Sequence, residues 1–203
     1  MYNLFVDESE AETDHRLSRT DKVIVLIGPR EVAFTVDMNT ICARSAFFRD
    51  ALFGEWEWIG GRKGMVSITE TEPEIFAVYA SWIYDSKISL DEVADSSTIP
   101  DPPSYISLAK AWVLGNKLSD YEFCNRLNDL VLEKYGVDRL TKVAPVSLQY
   151  VWKKTSPASK LRLLHIDIQA GCVTLDSRLR LGPSIRDRCY YHVHEDGNDR
   201  CTA

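Results

Sequence analysis

The stretch from Val23 to Phe53 constrains the fold most, because one short span holds an apolar run, a turn, an alternating run and two brief helical patterns. Val23, Ile24, Val25, Leu26 and Ile27 form the continuous apolar run expected of a strand buried on both faces, and Gly28-Pro29 punctuate its end. Val32, Phe34 and Val36 then alternate with Ala33 and Thr35, which predicts a return strand with one face inward. Asp37 and Ser45 are each placed to accept a backbone N–H at a helix start. Phe47, Phe48, Ala51 and Leu52 form the stripe of the second helix, with Gly54 closing it. No catalytic side-chain set lies in this span, so its form is that of a binding module.

The pattern continues in order. Gly60 to Gly64 make a flexible connection into Met65-Val66-Ser67-Ile68, a third strand. Thr71-Glu72-Pro73-Glu74 fits a capping box with Pro in the first turn, leading a helix whose Ile75, Phe76, Tyr79, Trp82 and Ile83 recur at helical spacing. Ser89 to Pro103 reads as a loop, and Ser104 opens a helix through Leu108, Ala111, Trp112 and Leu114. Ser119-Asp120-Tyr121-Glu122 caps another, using Phe123, Leu127, Leu130 and Val131 and stopping at Gly136. Two more helices are expected: one opens at Pro145 with Leu148, Val151 and Trp152. The other is capped by Ser156-Pro157, with Leu161, Leu164 and Ile168, and ends at Gly171.

The chain therefore divides into an acidic tail (1–20), a core domain (21–135), a helical extension (136–171) and a tail without apolar periodicity (172–203), expected to be poorly ordered. The fold class is α+β: a small three-stranded sheet flanked by a cluster of short helices, with extra C-terminal helices.

Charge and cysteine usage narrow the function. A net charge of −6 argues against a nucleic-acid surface, which needs clustered Lys and Arg. No apolar run approaches the ~20 residues of a membrane span, and the N-terminus has neither a basic region nor an apolar core of a signal peptide. Five scattered cysteines, Cys42, Cys124, Cys172, Cys189 and Cys201, suit a reducing compartment, so cytoplasm or nucleus is expected. Cys42 and Cys124 lie in apolar helical patterns and read as core.

No reactive cluster emerges, and no cofactor or metal is expected. His15 lies in the acidic tail and His165 beside Leu164 and Ile166, where a boundary histidine is the ordinary outcome. There is no G-x-S-x-G, and Gly60-Gly61-Arg62-Lys63-Gly64 lacks phosphate-loop spacing. Cys189, His192, His194 and Cys201 have ligand chemistry, but their spacing matches no usual zinc site. Lys153, Lys154, Lys160 and Arg162 read as a solvated helix face. The feature with most binding character is Trp56-Glu57-Trp58, two indoles beside glycines, which read either as an exposed partner-binding loop or as side chains folded back onto the domain.

The order of these elements resembles the BTB/POZ domain, from about Asp21 to Tyr135. VDMNTICARSAFFRDAL is similar to that family's helix-pair signature through Ser45, Phe47 and Phe48. VSITETEPEIFAVYASWIYDSKIS resembles its strand and Pro-started helix through Pro73, Phe76, Trp82 and Tyr84. LAKAWVLGNKLSDYEFCNRLNDLVLEKY resembles its following helix pair, although Gly115-Asn116 stand where the family often has Ala-Asp. VSLQYVWKKTSPASKLRLLHIDIQAG looks like the helical extension of the fungal branch.

The resemblance implies a non-catalytic protein–protein interaction module that self-associates as a homodimer. A dimer face would contain Met38, Ile41 and Phe48. It also implies, as the alternative, a substrate adaptor of a cullin-3 ubiquitin ligase. Recruiting relatives usually carry hydrophobic-x-Glu after the second short helix, and here Trp58 stands in place of that Glu, which implies weak cullin-3 binding or none.

Overall fold

The computed structural model describes residues 22–53, 64–88, 105–135, 143, 145–170 and 188–194. Within them, β1 (Lys22–Ile27) is the central strand of a three-stranded sheet, flanked by β2 (Val32–Asp37) antiparallel and β3 (Met65–Ile68) parallel. The α+β class and the three strands are as the sequence predicts. The continuous apolar run of β1, however, is buried on one face only: Val23, Val25 and Ile27 are fully buried while Ile24 is 37% exposed. Ile24 faces outward between Thr35 and Met65 in register. Alternation in β2 holds for Val36, but Val32, at the strand's start, is exposed.

Gly28 starts the β1–β2 turn at φ 74°, where an added Cβ would also sit 3.2 Å from the Thr71 carbonyl, so glycine fits on both conformational and steric grounds. After β2, Asp37 caps α1 (Met38–Arg44): its Oδ1 accepts from Thr40 N at 2.8 Å and from Thr40 Oγ1 at 2.9 Å. Those bonds hold the Asp37 carboxyl below its ordinary pKa. Ser45 caps α2 (Ala46–Phe53) as predicted, accepting from Phe48 N at 3.2 Å and donating to the Leu118 carbonyl at 2.6 Å.

The expected dimer face is corrected here. Ile41 and Phe48 are fully buried, and Met38 is half-buried against the same core. The stripe of these two short helices is turned into the domain, because neither helix is long enough to stand without packing. Gly54, Trp56-Glu57-Trp58, the Gly60–Lys63 connection, Ser89–Ser104, Gly136 and Gly171 lie outside the described residues.

The helix α3 (Pro73–Asp85) buries Ile75, Phe76, Tyr79, Trp82 and Ile83, as its spacing predicts. The predicted capping box does not form. Glu72 occupies the cap position without a side-chain bond to the helix, and its carboxylate instead accepts two 2.8 Å bonds from Lys110. An aromatic ladder runs from Phe34 through Phe76 and Tyr79 to Phe123, with ring centroids 4.9, 6.0 and 5.2 Å apart.

The core is completed by α4 (Tyr105–Leu118) and α5 (Tyr121–Tyr135). Their close approach depends on Gly115, where an added Cβ would lie 2.7 Å from Phe123 Cδ1 and 3.0 Å from Cys124 Sγ. Asp120, rather than Ser119, caps α5: Oδ1 accepts from Phe123 N at 2.9 Å and Oδ2 from Trp82 Nε1 at 3.3 Å. Burial raises the Asp120 carboxyl above its ordinary pKa. Cys42 and Cys124 are buried free thiols, and burial pushes both thiols up.

Two helices follow, α6 (Pro145–Lys154) and α7 (Lys160–Ala170). Ser156-Pro157 form a turn rather than a cap. Ser159 N donates to the Ser156 carbonyl at 3.0 Å, and Leu163 N to the Ser159 carbonyl at 3.2 Å, so α7 starts later than predicted.

Within the region read as a poorly ordered tail, residues 188–194 form a 3-10 turn (Arg188–Tyr191) and a short extension, and Tyr191 is fully buried. Side chains far away in sequence fix its backbone. Asn128 donates to the Tyr191 carbonyl at 2.6 Å, while Asn125 accepts from Val193 N at 2.7 Å and donates to Val193 O at 2.9 Å. Among the described residues no helix is long and apolar enough to cross a membrane.

Candidate functional site

An open, shallow apolar groove lies between α6 and α7. Pro145 starts α6 at a position where its missing N–H is harmless, and Leu148, Gln149 and Trp152 then fall on one face. On α7, His165, Ile166, Gln169 and Ala170 recur at the matching spacing. Together these seven residues line an open groove of about 540 Å³. Trp152 is 42% and Ile166 49% exposed, so two large apolar side chains face solvent at its walls.

The Trp152 wall is held rigidly. The Arg162 guanidinium stacks over its ring at 5.6 Å, donates through Nε to Thr155 Oγ1 at 2.9 Å, and donates through Nη2 to the carbonyls of Trp152 and Thr155. Arg162 is thus a fastening between the end of α6 and the start of α7 rather than a solvated charge. Lys160 is also engaged, donating to the Tyr190 carbonyl at 2.8 Å over the Tyr190 ring. Lys153 and Lys154 remain exposed, with Lys154 Nζ 4.0 Å from Glu70.

His165 forms part of the groove lining yet is only 2% exposed. Its Nδ1 lies 2.8 Å from the Tyr105 hydroxyl, the Trp152 ring meets it edge to face at 5.6 Å, and its Nε2 is buried without a hydrogen-bond partner. Burial lowers its pKa from 6.5 to about 4, so the imidazole is neutral at pH 7. The sequence singled out His165 and Trp152 separately. Their meeting across two helices was not readable from spacing within either one.

A second, smaller cleft joins the start of α3 to α4 and α6, lined by Glu70, Glu72, Lys110, Lys117, Tyr150 and Lys154. Lys110 pairs there with Glu72 at 2.8 Å, and Lys154 lies 4.0 Å from Glu70. Near the 3-10 turn, Cys189 Sγ lies 3.5 Å from His194 Nε2, while His192 Nε2 lies 3.1 Å from Asp129 Oδ1. Cys201 lies outside the described residues. Among the described residues no group of three or more His, Cys, Asp or Glu side chains is arranged to hold a metal ion.

Comparison with protein-family models and with curated proteins gives no match for this chain.

Proposed function

We propose that the chain is a non-catalytic protein–protein interaction module of the BTB/POZ type, acting by self-association and partner recruitment in the cytoplasm or nucleus. The observation that carries the reading is the use made of its side chains. Large apolar groups are displayed at the α6–α7 groove, while Asp120 and His165, two of the buried groups that burial shifts, serve the fold. Asp120 caps α5 and holds Trp82, and His165 bonds Tyr105. The order of a strand hairpin, a short helix pair, a third strand, a Pro-started helix and a helix pair supports the family assignment.

With Ile41 and Phe48 in the core, self-association on this reading uses the outer face of the sheet. There Ile24 lies between Thr35 and Met65, with Leu26 two residues along the same face. The test is co-expression of two differently tagged copies. The unmodified copies should co-purify, and Ile24→Glu should separate them while thermal unfolding stays cooperative. Co-purification untouched by Ile24→Glu would remove the sheet face from the account, and failure of unmodified copies to co-purify would remove self-association.

A further inference from the structure

Residues 188–194 return to the domain as a short strap laid against α5 and α7, joined to α7 through residues 171–187. The two helices hold the strap as a receptor holds a peptide, with bonds to its backbone and one side chain in a pocket. Asn125 pairs with both the N–H and the carbonyl of Val193, at 2.7 and 2.9 Å, as a residue on a neighbouring strand would. Asn128 donates to the Tyr191 carbonyl at 2.6 Å, and Lys160 donates to the Tyr190 carbonyl at 2.8 Å. None of these bonds depends on the identity of a strap side chain.

Selectivity comes from Tyr191. Its ring is fully buried and its hydroxyl donates to Asp167 Oδ2 at 3.0 Å, so the pocket fits an aromatic ring that ends in a donor. The neighbouring Cys189, Tyr190, His192, Val193 and His194 are only half-buried. One buried ring and a few hydrogen bonds must therefore offset the lost freedom of the whole segment, a balance that places the strap among the parts of a fold that open before the rest.

We propose that the surface formed by α5 and α7 is a peptide-binding site and that residues 188–194 are its occupant in cis. The partner it admits is a protein segment of the same chemistry: a tyrosine two residues ahead of a backbone position that offers both its N–H and its carbonyl. Such a segment displaces the strap, and Asp167 rejects a phosphorylated tyrosine by like charge. The site is independent of whether the module self-associates.

The experiment uses the full chain and a fluorescent synthetic peptide of residues 188–194, under reducing conditions. A tethered segment has an effective concentration on the order of 1 mM, so against a peptide Kd of about 0.1 mM the strap weakens apparent binding about tenfold. Tyr191→Ala in the chain leaves α5 and α7 unchanged and should bind the peptide about tenfold more tightly than the unmodified chain does. Tyr191→Ala in the peptide, or phosphorylation of its Tyr191, should abolish binding, and adding Asn125→Ala to the Tyr191→Ala chain should weaken it about tenfold. In the unmodified chain, amide hydrogen exchange at Val193 should run about tenfold or more faster than at Leu127 and Val131 of α5, reporting release of the strap from a folded domain. Equal affinity for the two chains, binding that tolerates Tyr191→Ala in the peptide, or exchange at Val193 as slow as in α5 would overturn the proposal. Loss of cooperative thermal unfolding in the Tyr191→Ala chain would also overturn it, because Tyr191 would then be core rather than ligand.

Discussion

Acidification should weaken this fold chiefly through one imidazole. His165 is buried against Tyr105 and Trp152, and its pKa falls from 6.5 to about 4 on folding. In the window between those values the unfolded chain carries a proton on His165 that the folded chain refuses. The unfolded state therefore binds more protons, and stability falls as pH falls. At 1.36 kcal/mol per pH unit the full effect is about 3 kcal/mol, of which roughly 2 kcal/mol is lost between pH 7 and pH 5. Asp120 has the opposite sign: burial raises its carboxyl, so the folded chain takes up that proton first, which favours folding near the carboxylate range. Urea unfolding at pH 7, 6 and 5 reads the difference as a midpoint shift of about 1 M, given a slope of 1–3 kcal/mol/M. The pair Tyr105→Phe and His165→Phe keeps aromatic rings at both positions and removes the titrating group together with the hydroxyl bonded to it. That variant should lose little stability over the same range. If it loses as much as the unmodified chain, His165 is not the source and the reasoning fails.

Three further outcomes follow from individual contacts. Gly115→Ala should destabilise the domain by roughly 1–3 kcal/mol in thermal or chemical unfolding, because the new methyl meets Phe123 at 2.7 Å; an unchanged midpoint would show that α4 and α5 separate freely. Asp120→Ala should cost roughly 2–4 kcal/mol, combining a lost helix cap with an unpaired buried Trp82 N–H, and a loss below 0.5 kcal/mol would refute that role. In a cullin-3 binding titration the unmodified chain should bind weakly or not at all, and Trp58→Glu should strengthen binding about tenfold or more, the scale of one charge-assisted hydrogen bond. Tight binding by the unmodified chain would favour the ligase-adaptor alternative.

Local patterns were legible in the sequence where local physics decides them. Asp37 and Ser45 cap the helices they were expected to cap, and the spacing of Phe76, Tyr79 and Trp82 marks the buried face of α3. What the sequence hid were outcomes of competition between distant groups. Glu72 could serve the start of α3 or Lys110, and the cation took it. Ile24 sits in an apolar run, yet only sheet topology decides that its face is outward. Ile41 and Phe48 look the same in sequence whether they face a partner or a core. Residues 188–194 have no periodicity because Asn125 and Asn128 supply their order from α5. The groove was hidden for a related reason: Trp152 and His165 lie on separate helices, and the turn joining them and the Arg162 fastening set their distance.

The measurement that bears most directly on the reading as an interaction module is the mass of the purified full chain by light scattering between about 1 and 100 µM, a range in which a specific homodimer of micromolar or tighter affinity is resolved. Self-association predicts about twice the 23.1 kDa chain mass at the upper end, falling towards one chain on dilution or with Ile24→Glu. A mass of one chain across the whole range would contradict it.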